Sequence, residues 1–189
     1  MSSPDDIDLS EFGLAYMTFN DSTFTDPLGG TTGDKSTNYN MTYSFANGGN
    51  DQYAFKTLSK WAGVMNQKSV PEASYPYQLD KKDTTYTFKA EDVSYILTGQ
   101  KYINMKERDL VKQAIIENGA VSTIYTTNQK RSDKYVYYSV PTGSGHEVTI
   151  VGWDDNIDKS LFAANGHETP PGNGAWLIKN SWGSNTGNN

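Results

Sequence analysis

Apolar residues recur every three to four positions in three stretches of the chain, and alternate or cluster with β-branched residues in four others. Ala54, Leu58, Trp61, Ala62 and Met65 share one face if the segment is helical, so the pattern predicts an amphipathic helix from Asp51 to Met65. A shorter helix is predicted near the start. Asp8 stands as its cap with Glu11 three residues on, and Leu9, Phe12, Tyr16 and Met17 form one face. The two apolar faces are expected to pack together. A third helix is signalled by Asn104 and Glu107 as a capping box, by Leu110, Val111, Ala114 and Ile115 along one face, and by Asn118-Gly119 as its stop.

Strand signals dominate the second half. Residues 120–126, 134–140, 148–153 and 175–179 are rich in β-branched or aromatic residues and bounded by Gly, Pro or Asn. From Asp21 to Asn50 neither periodicity is present, which predicts a long surface excursion. Its Asn20-Asp21-Ser22 and Asn40-Met41-Thr42 fit the glycosylation pattern, a match that chance explains in so Asn-rich a chain.

Composition narrows the function classes. The 189 residues are enough to bury a sizeable core in one domain or two small lobes. Net charge is 16 minus 22, or -6, with both signs mixed along the chain, so a phosphate-binding surface is not expected and nucleic acid is not a predicted partner. No apolar run approaches the roughly 20 residues of a membrane span. With no cysteine, disulfides, thiolate metal sites and a cysteine nucleophile are excluded within this sequence, and no cofactor or metal is expected. The many Tyr, Asn, Ser, Thr and Gly residues resemble extracellular bacterial proteins, which makes an extracellular or cell-surface location the expectation.

Three short stretches carry candidate chemistry. His146, one of two histidines, directly precedes a strand in GSGHEVTIVGWDDN; Asn180 ends another in NGAWLIKNSWGSN; and Gly48-Gly49 precede the amphipathic helix in NGGNDQYAF. Taken alone, each has an ordinary reading as a hydrogen-bonding histidine, a turn-forming asparagine and a glycine turn. In this order, however, they resemble the papain-like cysteine peptidases. The resemblance rests on Leu9-Ser10-Glu11, Asn47-Gly48-Gly49, Tyr75-Pro76-Tyr77, Gly119-Ala120-Val121-Ser122, the strand from His146 to Trp153, and Lys179-Asn180-Ser181-Trp182-Gly183.

The resemblance implies an α+β, two-lobe fold, with a helical first lobe over 1–82 and a β-rich, antiparallel barrel-like second lobe over 83–189. It implies that His146 is the general base and acid of a Cys-His-Asn triad, that Asn180 orients its ring, and that Trp182 covers their hydrogen bond. Gly48, Gly49, Asn50 and Gly145 are then expected at the substrate cleft, where bare backbone can meet an extended peptide or protein substrate. Asn50 and Asp51 are polar where many relatives are apolar.

In the family the cysteine and an oxyanion-hole glutamine lie upstream of the Leu-Ser-Glu landmark, and only eight residues precede Leu9 here. The expectation is a fragment cut at the N-terminus and at the C-terminus, inactive alone. A subunit of a split peptidase and a non-catalytic module binding peptide or glycan remain open. Apolar surface bared by a missing helix makes a homodimer a candidate partner. Two lesser features have plainer readings. Asp154, Asp155, Asn156 and Asp158 are read as a solvated turn rather than a calcium loop, and His167 as an exposed residue of the Gly- and Pro-rich insertion between the His146 and Asn180 strands.

Overall fold

The computed structural model describes residues 7–19, 49–59, 63–69, 92–126, 145–162 and 169–181. The chain divides into two compact units, Met1–Lys101 and Tyr102–Asn189. The lobe boundary expected near Lys82 and the strand expected over 134–140 lie outside the described residues.

In the first unit, helix α1 (Glu11–Phe19) starts two residues later than its capping pattern suggests. Ser10 is the cap: its Oγ accepts from Gly13 N–H at 3.0 Å, and its carbonyl accepts from Leu14 N–H at 3.1 Å. Asp8 is held elsewhere, its carbonyl accepting from Gln67 N–H at 2.7 Å while Leu9 bridges to Asn66. Glu11 is therefore the first helical residue and cannot close a box with Asp8.

Helix α2 (Asp51–Thr57) begins at Asn50, whose Oδ1 accepts from Tyr53 N–H at 3.1 Å. The helix does not reach Met65, as its apolar period predicts. Gly63 takes a positive φ of 71°, and Val64–Met65 is a strand, β1, paired antiparallel with β2 (Val93–Tyr95). Gly63 packs so closely that a Cβ there would lie 2.3 Å from Val93 Cγ1 and 2.7 Å from Tyr95 O. Met65 is apolar in either geometry, so periodicity alone cannot tell the two apart.

The two helices meet through hydroxyls. Thr18 donates to Leu14 O at 2.8 Å, so its single proton is used, and the buried 2.9 Å contact with Thr57 is a bond that Thr57 donates. Met65 is fully buried, and a Cβ on Gly13 would stand 3.4 Å from its Cε.

The second unit packs one helix on an antiparallel sheet. Helix α3 (Arg108–Asn118) is capped at Glu107 without a side-chain bond. Asn104 serves the turn before it, accepting from Lys106 N–H through Oδ1 and from Glu107 N–H through its carbonyl, so the expected capping box does not form. The expected stop does: Gly119 has φ 85° and donates to Ile115 O at 2.8 Å, while Asn118 Nδ2 donates to Ala114 O at 3.0 Å.

Strands β3 (Val121–Thr126), β4 (Gly145–Asp154) and β5 (Ala175–Lys179) lie in the order β3-β4-β5, all neighbours antiparallel. No further strand among the described residues closes them into the expected barrel. Val111, Ile115 and Ile150 are the buried centre of the unit, with Ile103, Val121, Trp153, Trp176 and Ile178 packed around them.

Register decides what each face carries. Val121 pairs with Ile150, Thr123 with Val148 and Tyr125 with His146, so these six side chains share the face that meets α3. Between Ile150 and Gly152 the β4-β5 pairing slips by one residue. That bulge lets Ile150 and Trp153, three apart, both serve the core, with Trp153 opposite Trp176.

Candidate active site

The strand carrying His146 is longer than its apolar run suggests. β4 begins at Gly145, so His146 is its second residue, with its inward face fixed by the pairing to Tyr125. Asn180 directly follows β5, and Thr149 opposite Lys179 is the last pair of that ladder. Continuing the register by one step sets Asn180 beside Val148, diagonal to His146 on the same face. A hydrogen bond closes that diagonal: His146 Nε2 lies 2.9 Å from Asn180 Oδ1, both side chains half-buried.

The direction of this bond follows from a second contact. Ser181 N–H donates to the same Asn180 atom at 2.8 Å. A backbone N–H can only donate, so the atom is the amide oxygen, and the His146 nitrogen facing it must carry a proton. The neutral imidazole is then the Nε2–H tautomer, with Nδ1 as the basic nitrogen. Tyr125 meets the same ring from the neighbouring strand, edge to face, with centroids 5.5 Å apart and planes at 76°.

On the inward face nearby is a cavity of about 580 Å³, whose walls include Thr123, Tyr125, Val148, Trp176 and Pro170. Gly145 has a local reason to be glycine, because a Cβ there would lie 2.7 Å from Ile124 Cγ2. Gly49 and Asn50 are exposed, and a Cβ on Gly49 meets nothing within 4 Å. Gly48, Trp182 and His167 lie outside the described residues.

The far end of β4 carries the acidic group, and its members face different partners. Asp154 Oδ1 accepts from Asn156 N–H and Asp158 Oδ1 from Ser160 N–H, each at 2.8 Å. Asp155 takes Lys112 Nζ on both oxygens, at 2.7 and 2.8 Å, while that ammonium lies 5.6 Å from the Trp153 ring centroid. Gly174, at φ 103°, brings the adjoining loop against this turn and donates to Ile157 O at 2.8 Å.

The family profile described as papain family cysteine protease matches residues 36–189, most of the chain. The chain belongs to this family. A cathepsin L-like peptidase of Aedes aegypti is 28% identical over 144 residues, covering 75% of this chain and 38% of that protein. Cathepsin J of Rattus norvegicus is 32% identical over 133 residues, covering 67% of this chain and 36% of that one. Among solved structures, the cysteine protease and lectin-like domains of Cwp84, a surface layer associated protein of Clostridium difficile, match with a TM-score of 0.64. That likeness has 27% identity and covers 94% of this chain and 36% of the other. The chain thus spans little more than a third of the length of these relatives, and its fold is α+β and papain-like.

Two residues of consequence escape a reading of the sequence. Tyr125 looks like any aromatic strand residue until the β3-β4 register puts it opposite His146. Ser10 as cap is within reach of the rules, since it directly precedes an acidic first turn, but Asp8 offers the same chemistry two residues earlier.

Proposed function

We propose that this chain carries the base and its orienting residue for a cysteine peptidase, with peptide or protein chains as substrates. The observation that supports this most is the Nε2–H bond from His146 to Asn180, in a chain of the papain family. A thiol attacks a carbonyl only as thiolate, and a neighbouring imidazole that takes its proton supplies that form. In this reading Nδ1 of His146 accepts the thiol proton and later gives it to the leaving amine as the C–N bond breaks. It then draws a proton from the water that releases the acyl group. Asn180 holds the ring through this cycle without adding a full negative charge.

The thiol itself comes from outside these 189 residues, which contain no cysteine. The chain alone is accordingly inactive in this proposal. Trp182 is proposed to shield the His146-Asn180 bond, and Gly48, Gly49, Asn50 and Gly145 to border the peptide, assignments supported by the family resemblance of their motifs. The change from the helical to the β-rich lobe is proposed near residue 82. A cell-surface location and a bacterial source are supported by the similarity to a surface layer associated protein. A homodimer of the isolated chain is proposed on the bare-surface argument, with sedimentation as its check.

The test is hydrolysis of a fluorogenic peptide library by the longer polypeptide that supplies the thiol, with and without His146→Ala. Activity that falls by roughly 10⁴-fold or more in the variant is expected for loss of a triad member. A cysteine-bearing protein that cleaves no peptide, or one indifferent to the change, contradicts the proposal.

A further inference from the structure

Neither His146 nor Asn180 lines the cavity on the inward face of the sheet, so the triad reading gives that cavity no role. We propose that it is a binding site for a small apolar carboxylate of the aryl-alkanoic kind, with the Arg108 guanidinium as its counter-ion. Its volume of about 580 Å³ is that of pockets which take small organic molecules, and far exceeds the voids of a close-packed interior.

The sheet supplies an apolar wall through Val148 and Ile150, 5% and 1% exposed, and Ile178. Trp153 and Trp176, opposed across the β4-β5 ladder, line it as well. Among the described residues, neither indole N–H has a hydrogen-bond partner, and nor does the hydroxyl of Thr123, another wall residue. An indole N–H can only donate, so these groups call for a ligand with acceptors. Residues 170–174 form a further wall that the chain itself holds in place. Asn173 Oδ1 accepts from Lys159 N–H at 3.2 Å, and Gly174 N–H donates to Ile157 O at 2.8 Å.

Charge selects the ligand. The charged side chains among the described walls are Arg108, Lys112 and Asp155. Lys112 Nζ and both Asp155 oxygens satisfy one another at 2.7 and 2.8 Å, which leaves one net positive charge, on Arg108. Among the described residues no ion pair engages Arg108, and its sequence neighbours Glu107 and Asp109 are not on the wall. One cation matches a monoanion. A dianion would carry a second charge into apolar walls with nothing to offset it. A carboxylate also suits the fork of a guanidinium, which can donate to both of its oxygens.

The test is titration of phenylbutyrate, and of its uncharged amide, into the 189-residue chain, followed through the methyl NMR signals of Val148, Ile150 and Ile178. Both compounds should shift these methyls. The acid should bind about 2- to 5-fold more tightly than the amide, the range of a solvent-exposed ion pair, and added salt should shrink the preference. Arg108→Gln should abolish the preference while leaving the affinity for the amide unchanged, and Arg108→Lys should retain it. Arg108 is an exposed residue, so both variants should keep the fold, which the methyl signals of the free proteins verify. Equal affinity for acid and amide overturns the proposal, as does a preference that survives in Arg108→Gln. Shifts confined to methyls away from the cavity overturn it, and so does failure of both compounds to bind at millimolar concentration.

Discussion

The two ends of strand β4 both carry polar groups, and they use them differently. At the first end, His146 is met by Tyr125 of β3 and by Asn180 just past the end of β5. At the other, Asp154 and Asp158 accept backbone N–H groups two residues on, and Asp155 pairs with Lys112 of α3. The first end gathers side chains onto one ring. The second disperses its carboxylates among separate turn and ion-pair contacts. The difference shows that a site is recognised by convergence of groups from separate elements, and that density of charge in a sequence does not reveal it.

The comparison breaks most completely if the strand between the ends is loosened. Ile150 is 1% exposed between Val111 and Ile115, so Ile150→Ala should cost about 2–5 kcal/mol in chemical denaturation and disorder both ends together. Retention of full stability would mean that the two ends are not organised by this core. Next in size, Asn180→Ala should lower kcat/KM of the cysteine-bearing enzyme on the order of 100-fold while leaving the acidic end unaltered. A loss confined to KM would reassign Asn180 to substrate binding.

The acidic end should respond far less. Asp155→Asn removes a pair whose carboxylate is 67% exposed, and a change of no more than about 1 kcal/mol is expected, shrinking with salt. A larger, salt-insensitive loss would show that this end is organised like the other. The smallest effect concerns Asp158. Its carboxyl is held below the ordinary range because the Ser160 N–H and then the Ser160 side chain bond it, with Lys159 adding attraction. A lowered folded-state value means a contribution present above the usual carboxylate pKa and lost as pH falls below about 4. Asp158→Asn should therefore narrow its gap from the wild type in melts taken below that pH, and a gap that widens there would reverse the sign.

How much of this was legible beforehand varied with the kind of information required. β5 matches its apolar run residue for residue, and Gly119 ends α3 where its sequence signals a stop, because both signals are local. The apolar period carries Met65 into a helix, since a buried apolar residue satisfies either period and only the close packing around Gly63 decides between them. Asn104 lost its place in a capping box to the turn it makes with Lys106. At the site, His146 and Asn180 were recognisable from motif order, 34 positions apart (180 minus 146). Tyr125 was not, because its place opposite His146 exists only in the pairing of β3 with β4. Non-local register is the information that a list of residues lacks.

The central claim is that His146 is placed to activate a thiol. It is tested most directly by the pH dependence of alkylation of the nucleophilic cysteine in the longer polypeptide. The account predicts a thiolate forming well below the roughly 8.5 of a free cysteine, returning toward that value in His146→Ala. The same midpoint in both proteins would contradict it.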